Sequence, residues 1–155
     1  MANGFLVSTS FLAAAGAVGL ATLGHSVVGA DIDTEKVAVL SSGVSPIAEQ
    51  GMTEALNKCL QSKSLSFSTD VLATVTDAEV VFLCLPTPQG DDGSADLSYI
   101  EAVARQIGAT LQPGTVVVNK STVPVGSSVK VAEWLDRHDV SVVSNPEFLR
   151  QGTAL

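Results

Sequence analysis

A doubly wound α/β fold, with a mostly parallel six-stranded sheet and helices on both faces, is what this sequence predicts. Two observations predict it. Short apolar, β-branched runs alternate with stretches of helical periodicity along the whole chain. Polar clusters follow these runs directly, which is where the strands of an open parallel sheet present their carboxyl ends to a ligand. The 155 residues fit one domain, and a chain of this length buries about 70% of its unfolded surface.

The elements follow in order. Phe5-Leu6-Val7 is a first short strand, and the Ala- and Leu-rich segment 11–23 is a helix that stops at Gly24. Ser26 to Ala30 is the second strand. Asp33 is placed to cap a helix over 34–40, and the Gly/Ser-rich stretch 41–45 is a loop before Pro46. Met52, Ala55, Leu56, Cys59 and Leu60 share one helical face; 65–67 is a third strand and 71–75 a brief helix. The run 79–85 is continuously apolar after Glu79, as in a parallel strand buried on both faces. A Pro/Gly/Asp loop covers 86–95. Ser98 and Glu101 form the pattern of a capping box ahead of the stripe Ile100, Val103, Ala104, Ile107 and Leu111. A strand over 115–118, a helix over 125–135 with Val129, Ala132 and Leu135 inward, and a short strand over 140–143 complete the set. Right-handed crossovers join the strands; the pattern leaves their order open.

The net charge of −8 argues against a nucleic-acid or anionic-membrane partner, since both require a basic surface. It leaves room for a phosphate ligand, which backbone N–H groups at a helix N-terminus can hold without Lys or Arg. The first thirty residues carry no Asp, Glu, Lys or Arg. A signal peptide would need a basic start, and a membrane span would not be broken by Ser8, Thr9, Ser10, Gly16, Gly19 and Thr22. A buried strand and a buried helix explain the stretch better. Cys59 and Cys84 both sit in apolar patterns and read as small buried hydrophobes, with no disulfide framework or zinc site.

The polar groups beyond the strands are Asp31-Ile32-Asp33, Pro86-Thr87-Pro88, Lys120 to Pro124, and Asn145 to Phe148. Asp31 has the sharpest role. An acid at the end of the second strand, about 20 residues past the first turn, accepts hydrogen bonds from an adenosine ribose and repels a 2′-phosphate, which favours NAD over NADP. Spacing back from Asp31 and Gly24 places Ser8-Thr9-Ser10-Phe11-Leu12-Ala13 in the slot of the phosphate-binding turn, so Ser8, Ser10, Phe11 and Leu12 would border the cofactor. None of the three glycines of G-x-G-x-x-G stands there. A Cβ at the second position should crowd the phosphates. Using Gly16 and Gly19 as the second and third glycines instead leaves too short a helix before Gly24.

Five segments together resemble the NAD-binding N-terminal domain of the UDP-glucose/GDP-mannose dehydrogenase family: Leu23 to Asp33 with Lys36-Val37, Leu83 to Pro88, Asp92 to Tyr99, Lys120 to Gly126, and Ser144 to Arg150. Ser-Thr-Val-Pro-Val-Gly at 121–126 and Asn-Pro-Glu-Phe-Leu at 145–149 are the most specific strings. The resemblance implies a Rossmann-type sheet and NAD-dependent oxidation of a sugar nucleotide, UDP-glucose to UDP-glucuronate, in the cytoplasm. It implies that Asp31 and Lys36 hold the adenosine ribose. Thr87 and Thr122 would line the cofactor and catalytic-water region, with Thr122 and Glu147 catalytic. Glu147, Phe148, Leu149, Arg150 and Gln151 would touch the UDP-sugar, Gln151 bordering the cofactor as well. In the family a cysteine thiol captures an aldehyde, and the thioester is then hydrolysed.

The chain departs from that pattern at the glycines, and at Gln151, where the family usually has Glu. The family's connecting helix and UDP-binding domain, with its nucleophilic cysteine, lie beyond the single NAD-binding domain expected over residues 1–155. Neither Cys59 nor Cys84 fits the role of an accessible nucleophile. The expectation is therefore an NAD-binding half that works with a complementing C-terminal domain, or as a homodimer. The alternatives are an inactive NAD-binding relic and a reductase of the 6-phosphogluconate or hydroxyisobutyrate type.

Overall fold

The computed structural model describes residues 3–8, 11–45, 49–90 and 93–146, with the backbone alone for 5–8, 11 and 12. Among the described residues the chain runs β1 (Asn3–Ser8), α1 (Phe11–Thr22), β2 (Ser26–Ala30), α2 (Thr34–Ser41), α3 (Met52–Gln61), β3 (Leu65–Ser68), α4 (Val71–Val75), β4 (Val80–Cys84), α5 (Ser98–Gly108), β5 (Val116–Asn119), α6 (Ser127–Leu135) and β6 (Ser141–Ser144). Every strand pairing is parallel, in the order β3-β2-β1-β4-β5-β6. The chain winds outward from β1 in one direction and from β4 in the other, so the topological switch point lies between these two central strands.

Side chains alternate across the sheet, and two cores result. Val81, Leu83 and Val117 face α4, α5 and α6, packing with Val75, Ile100, Ala104, Ile107, Val131 and Leu135. Val27, Leu65 and Cys84 face α1 and α3, packing with Ala13, Ala17, Val18, Met52, Leu56 and Cys59. Both cysteines are buried, as their apolar settings imply. Helix α1 is buried at Ala13, Ala14, Ala15, Ala17, Val18 and Ala21. Burial on more than one face explains why this segment is apolar nearly all round. It ends where Gly24 takes a φ of +96° and His25 N–H donates to the Leu20 carbonyl, a left-handed cap. Among the described residues, no helix is long and apolar enough to cross a membrane.

The structure corrects the sequence reading at two helix starts. Ser98 is not the cap of α5. Leu97 holds that place without a side-chain hydrogen bond, Asp96 Oδ1 accepts from Ser98 N–H, and Glu101 pairs with Arg105 one turn on. The capping box is therefore absent, because an Asx turn brings the chain into the helix one residue earlier. Helix α6 begins at Ser127, after Gly126 with a φ of +88°, and not at Val125. Its inward positions are Ser127, Val131 and Leu135, while Val129 is 62% exposed. Leu135 is inward as expected and Ala132 half-buried, so the inward stripe runs through Val131 rather than Val129.

Candidate functional site

The register sets the strand ends level. Val7 pairs with Ala30, Ser8 with Cys84, Leu83 with Asn119, and Asn119 with Ser144. As far as they are described, the polar segments after β2, β4, β5 and β6 therefore start from the same edge of one sheet, as an open α/β ligand crevice requires.

Asp31 follows β2 immediately. Its N–H extends the ladder to the Ser68 carbonyl, and its Oδ1 accepts from Asp33 N–H. Burial pushes its carboxyl above the usual carboxylate range; that hydrogen bond and the nearby Lys36 charge pull the other way. Asp33 caps α2, accepting from the N–H groups of Glu35 and Lys36. Those bonds, with Lys36 first, hold its carboxyl below the usual value. Lys36 Nζ lies 3.6 Å from Asp33 Oδ2, so the lysine expected at the ribose is paired with the capping acid one turn away.

Thr87 and Thr122 come together. The Thr87 hydroxyl donates to the Thr122 carbonyl at 2.9 Å, joining the loops after β4 and β5. Thr122 does not cap α6, whose cap position is Gly126. Ser121 ties the same two strands from beneath: its Oγ donates to the Leu85 carbonyl at 2.8 Å and accepts from Leu85 N–H at 2.9 Å. Asn119 Oδ1 accepts from Ser121 N–H, and its Nδ2 is fully buried with no hydrogen-bond partner among the described residues. The sequence reading passed over Asn119 and, while including Ser121 in the polar segment after the fifth strand, gave it no role. The available signal was two small polar residues closing an apolar strand, at the edge where the other polar groups gather.

The register therefore gathers Asp31, Thr87 and Thr122 on one rim. Asp31 lies three strand positions from β5, about 14 Å at the usual spacing. Ser8 belongs to β1, and Phe11 and Leu12 open α1. Ser10, Glu147, Phe148, Leu149, Arg150 and Gln151 lie outside the described residues. Among the described residues, no group of three or more His, Cys, Asp or Glu could hold a metal ion.

Comparison with known proteins agrees with this geometry. Residues 6–155 match the model of the UDP-glucose/GDP-mannose dehydrogenase family, NAD binding domain. The UDP-glucose 6-dehydrogenase of Pseudomonas aeruginosa is 44% identical over 155 residues, covering 91% of this chain and 34% of that protein. The UDP-glucose dehydrogenase structure from Pyrobaculum islandicum superposes with a TM-score of 0.89 at 40% identity, over 99% of this chain and 38% of the other. The GDP-mannose dehydrogenase structure from Pseudomonas aeruginosa gives a TM-score of 0.88 at 33% identity, over 99% and 38%. The chain thus spans little more than a third of each of these proteins. It belongs to the UDP-glucose/GDP-mannose dehydrogenase family, as the domain that binds NAD.

Proposed function

We propose that this chain is the cofactor-binding part of an enzyme that oxidises UDP-glucose to UDP-glucuronate with NAD. The observation that carries the reading is the shared rim, with the Asp31 carboxylate at one end and the Thr87–Thr122 link at the other, on either side of the switch point. A dinucleotide laid across that crevice reaches from the first group to the second.

The residues present fit the cofactor at its adenosine end. Asp31 keeps its backbone contact through Oδ1, and its second oxygen can accept from a ribose diol. A negative charge there disfavours a 2′-phosphate. NAD supplies a hydride acceptor when bound. The chain's own residues hold it and place the alcohol against it: the Thr87–Thr122 link fixes two loops over the β4–β5 ends, and a water or hydroxyl can be oriented there. Glu147 is assigned the proton-transfer role and the segment 147–151 the sugar-nucleotide contact, both by family resemblance. The sugar pocket and nucleophile are assigned to polypeptide equivalent to the remainder of the longer relatives, in a homodimer or as a complementing domain. The same reading places the enzyme in the cytoplasm, with nucleotide-sugar substrates.

Two measurements test this. NADH titrated into the chain is expected to give energy transfer from Trp134, and no response up to millimolar cofactor would count against the cofactor site. UDP-glucose and NAD given to the chain alone are expected to yield no UDP-glucuronate. Robust product from this chain by itself would refute the division of labour.

A further inference from the structure

Helix α2 opens beside Asp31, and its first turn is built around one carboxylate. Asp33 Oδ1 accepts from the N–H groups of Glu35 and Lys36 at 3.0 and 3.2 Å. Its Oδ2 lies 3.6 Å from Lys36 Nζ. Its own N–H donates to Asp31 Oδ1 at 2.9 Å, so the two carboxylates are held in one short turn. The hydrogen bond from Lys36 N–H, with that from Glu35, keeps the Asp33 carboxyl below its usual value, and it is ionised at neutral pH.

NADP differs from NAD by one phosphate on the adenosine 2′-oxygen, the place at which an acid after the second strand grips the ribose. An added phosphate needs cationic and N–H donors within reach. Two kinds are at hand. One is the Lys36 ammonium, close enough for its charge to act on Asp31. The other is the leading N–H groups of α2, at the end of the helix where the dipole favours an anion. Asp33 already holds both. It also sets a second negative charge beside that of Asp31. The Lys36 and Asp33 side chains are 42% and 41% exposed, so their pairing adds little to folding stability. Its consequence lies in what it denies to an incoming anion.

We infer that Asp33 is a second specificity-determining residue for the cofactor: by holding Lys36 and the first N–H groups of α2, its carboxylate takes the place a 2′-phosphate would need, and it excludes NADP independently of Asp31. The inference rests on the NAD-binding reading and deepens it. Calorimetric titration of NADH and NADPH into the chain and its variants tests it. Asp31→Asn alone should weaken NADH binding and tighten NADPH binding by less than about threefold. Asp31→Asn with Asp33→Asn should bind NADPH about tenfold more tightly than Asp31→Asn alone. Asparagine still caps the helix, so the gain comes with a retained fold, read as the melting temperature. Asp31→Asn with Asp33→Ser repeats the comparison with another capping residue and should give the same gain. Adding Lys36→Gln to either double variant should remove it. Glu35→Gln in the Asp31→Asn background makes the same charge change in the same turn, away from these contacts, and should gain less than about threefold.

An NADPH gain from Asp31→Asn alone that matches the double variants assigns the exclusion to Asp31 and overturns the inference. So does an equal gain from Glu35→Gln, which would make net charge the cause, or a gain that survives Lys36→Gln. NADH binding that falls with Asp31→Asn while NADPH stays equally weak in every variant removes the inference and leaves the cofactor site standing. No binding of either cofactor by the parent or any variant removes both.

Discussion

Asp31 and Asp33 are two residues apart in sequence and opposite in electrostatics. Asp31 is half-buried, and its carboxyl is pushed upward mainly by desolvation. A carboxyl with a raised folded pKa favours the fold while protonated, below its unfolded value near 3.8. That contribution is lost as pH rises through the raised value. At neutral pH the ionised group is therefore a liability to the free domain, which a ligand's hydroxyls can relieve. Asp31→Asn keeps the acceptor for Asp33 N–H, so it should raise the melting temperature at pH 7 and lose that advantage by about pH 3. The same substitution should weaken NADH binding more than Asp33→Asn does, as read by titration. Equal losses would mean the ribose ligand has been misassigned. Asp33 has the opposite sign: its lowered carboxyl contributes stability above the unfolded value, lost as pH falls through the lowered one. Asp33→Ala should therefore lower the melting temperature at pH 7 by more than at pH 3.

At the scale of elements, the join between β4 and β5 is the most constrained part of the rim. Ser121 both donates to and accepts from Leu85 across the two strands while buried. Ser121→Ala leaves a buried N–H and a buried carbonyl short of a partner, and should cost about 1–3 kcal/mol in urea unfolding. Thr87→Val removes a bond made in an exposed setting and should cost less, about 1 kcal/mol or under. Between the helices, a Cβ added at Gly108 would run into the Leu135 carbonyl at the close approach of α5 and α6. Gly108→Ala should therefore lose about 1–3 kcal/mol despite alanine's better helix propensity. The strands and most helix spans were legible because apolar runs and caps act over a few residues, as at Asp33 and Gly24. The α5 start was not, since Ser98 and Glu101 satisfy the capping pattern but Asp96 competes for the same N–H. At α6 the periodicity around Val129 was anchored on a start two residues early.

For the whole molecule, helices α5 and α6 cover one face over β4, β5 and β6, and α1 and α3 pack mainly against the other half of the sheet. Among the described residues strand β6 is an edge with no charged residue, and Val143 on it is 46% exposed. An uncharged, partly apolar edge invites pairing between chains. The chain should therefore associate with itself as concentration rises, and Val143→Lys should reduce that association in sedimentation. A variant that associates as strongly as the parent would show that this edge takes no part. The net charge of −8 opposes association, so the effect should grow with added salt as repulsion is screened.

The alternation of elements, the polar residues beyond each strand, the caps at Asp33 and Gly24 and the family strings were all written in the chain, because each depends on neighbours a few positions apart. Strand order, the meeting of Thr87 with Thr122 across 35 residues, the Ser121 bridge across 36 and the burial of Asn119 were decided only by tertiary structure. These depend on which strands pair and in what register. That choice is made by burying both faces of the whole sheet at once, and no local pattern carries it.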